Sequence, residues 1–220
     1  MPLIGILNVN KPAGITSRDA VNRAHRLTRP AKCGHAGTLD PLATGVLVIC
    51  VGAATRLIQY VQRMQKRYRA TFLLGRRSPT DDVESEVTLL EGATQPTQDQ
   101  IENALPQFIG RINQRPPMHS AIMVGGRRAY SLARQGEPFE LAPRPVTIHA
   151  LSVRRYEYPA LELEIECGSG TYVRSLGRDL AEALGTAAVM SALERTAIGG
   201  FRVENSLQLD ELNAESLLRR

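Results

Sequence analysis

The chain has 220 residues, 43% of them apolar, which supports a sizeable core and excludes a disordered or fibrous protein. The longest apolar run, Val46 to Val51, is far short of the ~20 residues a bilayer crossing needs, and no secretory signal pattern opens the chain. Three widely spaced cysteines, Cys33, Cys50 and Cys167, exclude a disulfide framework and a CxxC zinc pair, so a reduced, cytoplasmic protein is expected, with one domain or one large and one small.

The net charge of +5 is unevenly spread. Residues 1–80 hold 13 Lys/Arg against two acids, Asp19 and Asp40, whereas residues 81–110 hold seven acids and no base. Residues 111–155 are basic again, with eight Arg against two acids, and the remainder is acidic. Two basic blocks separated by an acidic one point to a surface polarised for a polyanion. Of the 27 cations only Lys11, Lys32 and Lys66 are lysine. Arginine forks phosphates bidentately and stacks on bases, which favours nucleic acid as that polyanion.

In chain order, residues 4–9 read as a strand. Ser17 reads as an N-cap, with Ala20, Val21, Ala24 and Leu27 on one helical face. Residues 30–45 form a Gly/Pro-punctuated loop, and 46–51 a buried strand. A helix over 54–63 turns Leu57, Ile58 and Val61 inward. Alternation at Tyr68, Ala70, Phe72 and Leu74 marks a strand. The acidic stretch 78–92 reads as an exposed loop or edge, and Thr97 with Gln100 as a capping box for a helix to about Leu105.

Residues 113–145, rich in Arg, Gly and Pro, read as a flap with a hairpin turn at Gly125-Gly126 and a short helix over 129–135. Leu161, Leu163, Ile165 and Cys167 alternate with glutamates as a strand. Val173, Leu176, Leu180 and Leu184 have helical spacing, and a last helix is expected over 206–218. Strands and helices mix without βαβ alternation, so the fold class is α+β with a largely antiparallel sheet.

The loop Gly34-His35-Ala36-Gly37-Thr38-Leu39-Asp40-Pro41-Leu42-Ala43-Thr44-Gly45 carries a lone acid in a strongly cationic segment. Such a carboxylate stays ionised, which suits a nucleophile or an electrostatic stabiliser better than a general acid. Asp-Pro also starts turns for purely structural reasons. There is no GxxxxGK[ST] phosphate loop, and no second Asp two residues on, as an aspartyl-phosphate enzyme would want. The histidines (His25, His35, His119, His149) and the cysteines show no ligand spacing, so no metal is expected.

This loop closely resembles the signature of the TruB family of tRNA pseudouridine synthases. Four further stretches resemble family motifs in order: Asn10-Lys11-Pro12-Ala13-Gly14-Ile15-Thr16-Ser17, Lys66-Arg67-Tyr68-Arg69-Ala70, Gly168-Ser169-Gly170-Thr171-Tyr172-Val173-Arg174-Ser175, and Leu193-Glu194-Arg195-Thr196. The resemblance implies a pseudouridine-synthase-like mixed sheet flanked by helices, with a central RNA-binding cleft. It implies isomerisation of the T-loop uridine at position 55 of tRNA, without cofactor. A soluble monomer with tRNA (its T arm) as partner, no membrane and no obligatory protein partner is expected.

The resemblance makes Asp40 the nucleophile and pairs it with Arg174. It implies that Tyr68 stacks on the extruded uracil and assists proton removal at C5, and that Tyr172 and Leu193 contact the base. His35 enters the T loop as the target base leaves. Arg29, Lys32, Lys66, Arg127 and Arg128 are expected to contact RNA, and the 113–145 flap, with Arg134 and Arg144, resembles the family's RNA-gripping insertion and is expected to close over the T arm. Base extrusion costs a few kcal/mol, and stacking returns ~1–3 kcal/mol per base. About six phosphate contacts would give a log–log salt slope near −5. A catalytic domain over 1–205 is expected, with 206–220 a C-terminal helix in place of the full C-terminal RNA-binding domain of many relatives.

Three other readings compete. A guide-RNA-dependent rRNA synthase of the same superfamily would need partner proteins. A non-catalytic tRNA-binding or folding module need not keep Asp40, Tyr68 and Arg174 together. A carboxylate glycosidase needs a second acid near the first, and the first 80 residues offer only Asp19.

Overall fold

The computed structural model describes residues 3–120, 122–135, 137 and 139–213. In chain order the elements are β1 (Gly5–Lys11), α1 (Ser17–Thr28), β2 (Cys33–His35), β3 (Thr44–Val51), a 3-10 segment (Gly52–Leu57) running into α2 (Ile58–Arg63), β4 (Lys66–Leu74), β5 (Arg76–Arg77), β6 (Thr88–Leu89), α3 (Gln98–Ala104), β7 (Gly110–Gln114), β8 (Met123–Val124), β9 (Arg127–Arg128), α4 (Ala129–Arg134), β10 (Arg144–Glu157), β11 (Ala160–Cys167), α5 (Val173–Ala183), β12 (Ala188–Ile198), β13 (Phe201–Arg202) and β14 (Leu207–Gln208). This is the expected α+β class with a largely antiparallel sheet. The described residues fall into two compact units: one takes those of 1–69 and 193–220, the other those of 70–192. Residues on both sides of position 205 belong to the first unit.

In the first unit the strand order is β14-β1-β3-β12, with β2 on β3 and β13 on β12. The β1–β14 and β3–β12 pairings are parallel, and β1–β3 is antiparallel in register from Gly5↔Val51 to Lys11↔Gly45. Strand β3 is continuously apolar from Val46 to Val51 because both its faces are covered there. Leu47, Ile49 and Val51 pack with Leu7, Val9 and the α1 residues Ala20, Val21 and Ala24. Val46, Val48 and Cys50 pack on the opposite side with Ala36, Ala54, Val61 and Ile198.

The second unit orders its strands β4-β11-β10-β7. Ala70, Phe72 and Leu74 of β4 and Leu161, Leu163, Ile165 and Cys167 of β11 are buried, as their alternation predicts. Helix α5 buries Leu176 and Leu180. It approaches β4 so closely that a Cβ on Gly177 would stand 2.0 Å from Phe72 Cε1. The hairpin turn at Gly125-Gly126 and the short helix α4 also form where expected.

Several expectations are corrected. The α1 N-cap is Thr16, not Ser17: the Thr16 side chain accepts from the Asp19 amide and the Asp19 carboxylate accepts from the Thr16 amide. That reciprocal pair satisfies two otherwise orphaned donors. Leu27 and Leu57 point outward, at 37% and 44% exposure. The first part of the expected helix over 206–218 is instead β14, paired with β1, and residues 214–220 lie outside the described residues. The acidic stretch 78–92 is not uniformly exposed, since Asp82 is buried.

Gly177→Ala is expected to destabilise the protein by roughly 1–3 kcal/mol through overpacking against Phe72, despite alanine's better helix propensity. Thermal unfolding of the two proteins checks this, and an unchanged or raised Tm contradicts it.

Candidate active site

The loop that carries Asp40 links β2 to β3; Ala36, Leu39 and Ala43 anchor it in the apolar interior, and hydrogen bonds to its main-chain carbonyls and amides set its course between them. The Asp40 carbonyl accepts from the Ala43 amide at 3.1 Å, closing the turn that Asp-Pro announces. Just before it, the Ser17 hydroxyl donates to the Leu39 carbonyl (3.0 Å) and accepts from the Leu39 amide (2.8 Å). Ser17, which has no capping duty, thus ties the first turn of α1 to the residue preceding Asp40.

Two buried cations complete the clamp. Lys11, at 0% exposure, donates to the carbonyls of Pro12 (2.8 Å), Ile15 (2.7 Å) and Pro41 (3.2 Å). Arg195, at 1% exposure, donates to the carbonyls of Val46 (2.8 Å), Gly37 (3.0 Å) and Thr38 (3.3 Å). Its backbone reaches the loop because β12 pairs parallel with β3, Arg195 opposite Gly45. A Cβ on Gly45 would lie 2.3 Å from the Arg195 carbonyl oxygen, and Gly45 has φ +96°, so both space and conformation require glycine there. The Thr44 hydroxyl donates to the Leu193 carbonyl at 3.4 Å. Asp40 itself is half-buried on this fixed loop.

His35 ends β2, half-buried. Burial, followed by the nearby charge of Arg18, holds its imidazole below the ordinary value of 6.5. Tyr68 lies on the buried side of β4 at 8% exposure, and Leu193 is equally buried in β12. Lys66 is a correction: its ammonium is buried and donates to the carbonyls of Gln62 (2.5 Å) and Met64 (2.6 Å), closing the end of α2 instead of facing a phosphate surface. Arg29 and Lys32 are exposed.

In the second unit Arg174 and Arg178 project one turn apart from α5. Arg174 donates to the Thr80 carbonyl (2.8 Å), to the Asp82 carboxylate (3.1 Å) and to the His119 carbonyl (3.2 Å). Both members of this ion pair are buried, at 7% for Arg174 and 1% for Asp82. Asp82 also accepts from the Thr80 hydroxyl (2.5 Å) and the Glu84 amide (3.0 Å). Arg178 pairs with Asp81 at 2.9 Å and with Asp179 at 2.8 Å. Burial lifts both of those carboxyls above their ordinary range, against the pull of Arg178.

Tyr172 precedes α5. Its amide and carbonyl are both bound by the Gln114 side chain, at 2.8 and 3.0 Å, and the Arg144 guanidinium lies 4.9 Å from its ring centroid. Arg127 is engaged by Glu137 at 2.8 Å. The side chains of Arg128 and Arg134 lie outside the described residues. Among the described residues no cluster of three or more His, Cys, Asp or Glu could hold a metal, and no helix is long and apolar enough to cross a membrane.

Sequence reasoning misses Asp82, which sits in an acidic run that reads as solvated surface, and it assigns no role to Lys11, Gln114 or Arg195 and only a capping role to Ser17. Lys11, Ser17 and Arg195 stand inside the quoted motifs, so their spacing is visible and their function as loop supports is not.

This fold resembles solved structures. One chain of a Cbf5-Nop10-Gar1 complex matches with a TM-score of 0.74 at 28% identity, over 96% of this chain and 54% of that one. A chain of an H/ACA RNP bound to a substrate RNA containing 2'-deoxyuridine matches with a TM-score of 0.71 at 27% identity, over 96% and 53%. The chain thus spans about half the length of those solved chains. Family models for the TruB family pseudouridylate synthase N-terminal domain and the tRNA pseudouridylate synthase B C-terminal domain match residues 25–173 and 174–220. A tRNA pseudouridine synthase B of Acaryochloris marina is 45% identical over 96% of this chain and 73% of its own length. One of Clostridium tetani is 41% identical over 97% and 74%. The chain belongs to the TruB family of pseudouridylate synthases.

Arg195→Lys keeps the charge but replaces three spread nitrogens, Nε on Val46, Nη1 on Thr38 and Nη2 on Gly37, with a single ammonium that cannot reach all three positions. Losing two charge-assisted bonds at about 1.5 kcal/mol each predicts a loss of roughly 3 kcal/mol in urea unfolding and faster amide exchange around Asp40. Unchanged exchange there contradicts the clamp. Because the His35 imidazole titrates lower in the folded protein, the unfolded chain takes up the proton first as pH falls below about 6.5, and acid removes stability. His35→Gln is expected to flatten the decline of the urea midpoint between about pH 7 and 5; an unaltered decline contradicts it.

Proposed function

We propose that the chain isomerises uridine to pseudouridine at position 55 in the T loop of tRNA. The observation that carries this reading is the 45% identity to a tRNA pseudouridine synthase B over 96% of the chain. The reaction breaks the bond from C1′ to N1, turns the base and joins C1′ to C5. The C5 proton leaves and N1 gains one, so no external group or redox partner enters the balance.

In this reading Asp40 is the nucleophile, and its fixed loop holds the carboxylate ready before substrate arrives. Arg174 pairs with it and is itself aimed by Asp82, Thr80 and His119. Tyr68 stacks on the extruded uracil and assists proton removal at C5, while Tyr172 and Leu193 contact the base. Arg144 and Gln114 support Tyr172 from its ring face and its backbone. His35 enters the T loop as a neutral imidazole, filling the place of the departing base without adding charge. Arg29, Lys32, Arg127 and Arg128 meet RNA phosphates. The guide-RNA-dependent reading rests on the likeness to the Cbf5 complex, whose identity of 28% is well below that of the tRNA synthases.

The test is tritium release from C5-labelled uridine in unmodified tRNA, using the purified protein alone. Asp40→Asn is expected to keep tRNA binding and lose release by roughly 10⁴-fold or more. Release by the mutant at the wild-type rate overturns the assignment of Asp40, and inactivity of the wild type on bare tRNA favours the guide-dependent reading.

A further inference from the structure

Residues 41–80 hold seven Lys/Arg and no acid. Within them the helical run formed by Gly52–Leu57 and α2 presents a face that the proposed chemistry does not use. Arg56, Tyr60 and Arg63 follow i, i+4, i+7 spacing, which places them along one side of a helix, and all three are exposed. Tyr60 is 57% exposed and Leu57, beside it, 44%. This is not a core face left uncovered. On the other side of the same run Ala54 and Val61 are buried, and Ile58 packs against the core cluster that contains them.

The run is tied to the proposed site. Ile58 sits over β2, where a Cβ on Gly34 would lie 2.7 Å from its Cδ1, and β2 ends at His35. An exposed aromatic ring with a guanidinium one turn to either side can stack a base and bind the adjoining phosphates.

We propose that Arg56, Tyr60 and Arg63 form a second RNA-contact surface, which stacks an unpaired base of the substrate and binds its backbone outside the pocket of the reacting uridine. Charge complementarity selects RNA as the occupant. The proposal rests on the tRNA-isomerase reading.

Kinetics on unmodified tRNA test it with Tyr60→Ala, Tyr60→Phe and the double variant Arg56→Gln/Arg63→Gln. The expected result is a KM raised roughly tenfold for Tyr60→Ala with kcat unchanged, and near-wild-type KM for Tyr60→Phe, which keeps the stacking ring. The double variant should lower the magnitude of the log–log salt slope by about 2. Unchanged KM and slope in folded variants overturn the proposal while wild-type turnover leaves the isomerase reading standing. Photocrosslinking of wild-type protein to tRNA provides a check independent of the variants: adducts within 56–65 support the surface, and their absence counts against it. If sedimentation shows a wild-type dimer that Tyr60→Ala dissociates, the face is a self-association surface and the proposal fails.

Discussion

Buried cations bound to main-chain carbonyls are the constraint on which the Asp40 loop depends. Apolar anchors at Ala36, Leu39 and Ala43 leave the polar backbone between them to be satisfied, and ordering that backbone costs conformational entropy. Lys11 and Arg195 supply six charge-assisted hydrogen bonds to carbonyls in and around it. Each cation is costly to bury and would be destabilising if its partners were lost. The same cost makes the arrangement specific: only the loop path that brings those carbonyls inward satisfies both groups.

The second unit solves a similar problem with carboxylates. Arg174 is buried against Asp82, and the remaining acceptor capacity of Asp82 is taken by the Thr80 hydroxyl and the Glu84 amide. A guanidinium held by three groups has little rotational freedom left, so what it presents beyond them is fixed in direction. Arg178, bound to Asp81 and Asp179, repeats the pattern one turn later and secures the same segment. Gly177 lies between them in sequence and lets the helix sit directly against Phe72.

The legible parts of the sequence are those with a clean period or a strong local signal. The alternation in β4 and β11, the apolar run of β3, the Thr97 capping box and the Gly125-Gly126 turn all depend on neighbours in sequence, and all form as read. Strand β10 escapes such a reading because register shifts at Ile148/Ala150 and Val153/Arg155 interrupt its alternation. Strand β12 is visible only as a motif, its polar residues being spent on partners far away in the chain. Asp82 reads as surface because burial of an acid depends on a distant arginine, which no local window contains. Lys66 fails in the opposite direction: a lysine in a basic motif reads as a phosphate contact until its ammonium is seen capping carbonyls. Leu57 reads as core on spacing alone, although its exposed position forms part of a cationic face.

The hydrogen bond from Arg195 to Thr38 joins residues 157 positions apart. During synthesis the loop bearing Asp40 leaves the ribosome long before the arginine that steadies it, and β1 likewise waits for β14. Maturation of the Asp40 loop is therefore a late event in the life of each nascent chain, timed by the arrival of its far end and not by the folding of the segment in which the aspartate lies.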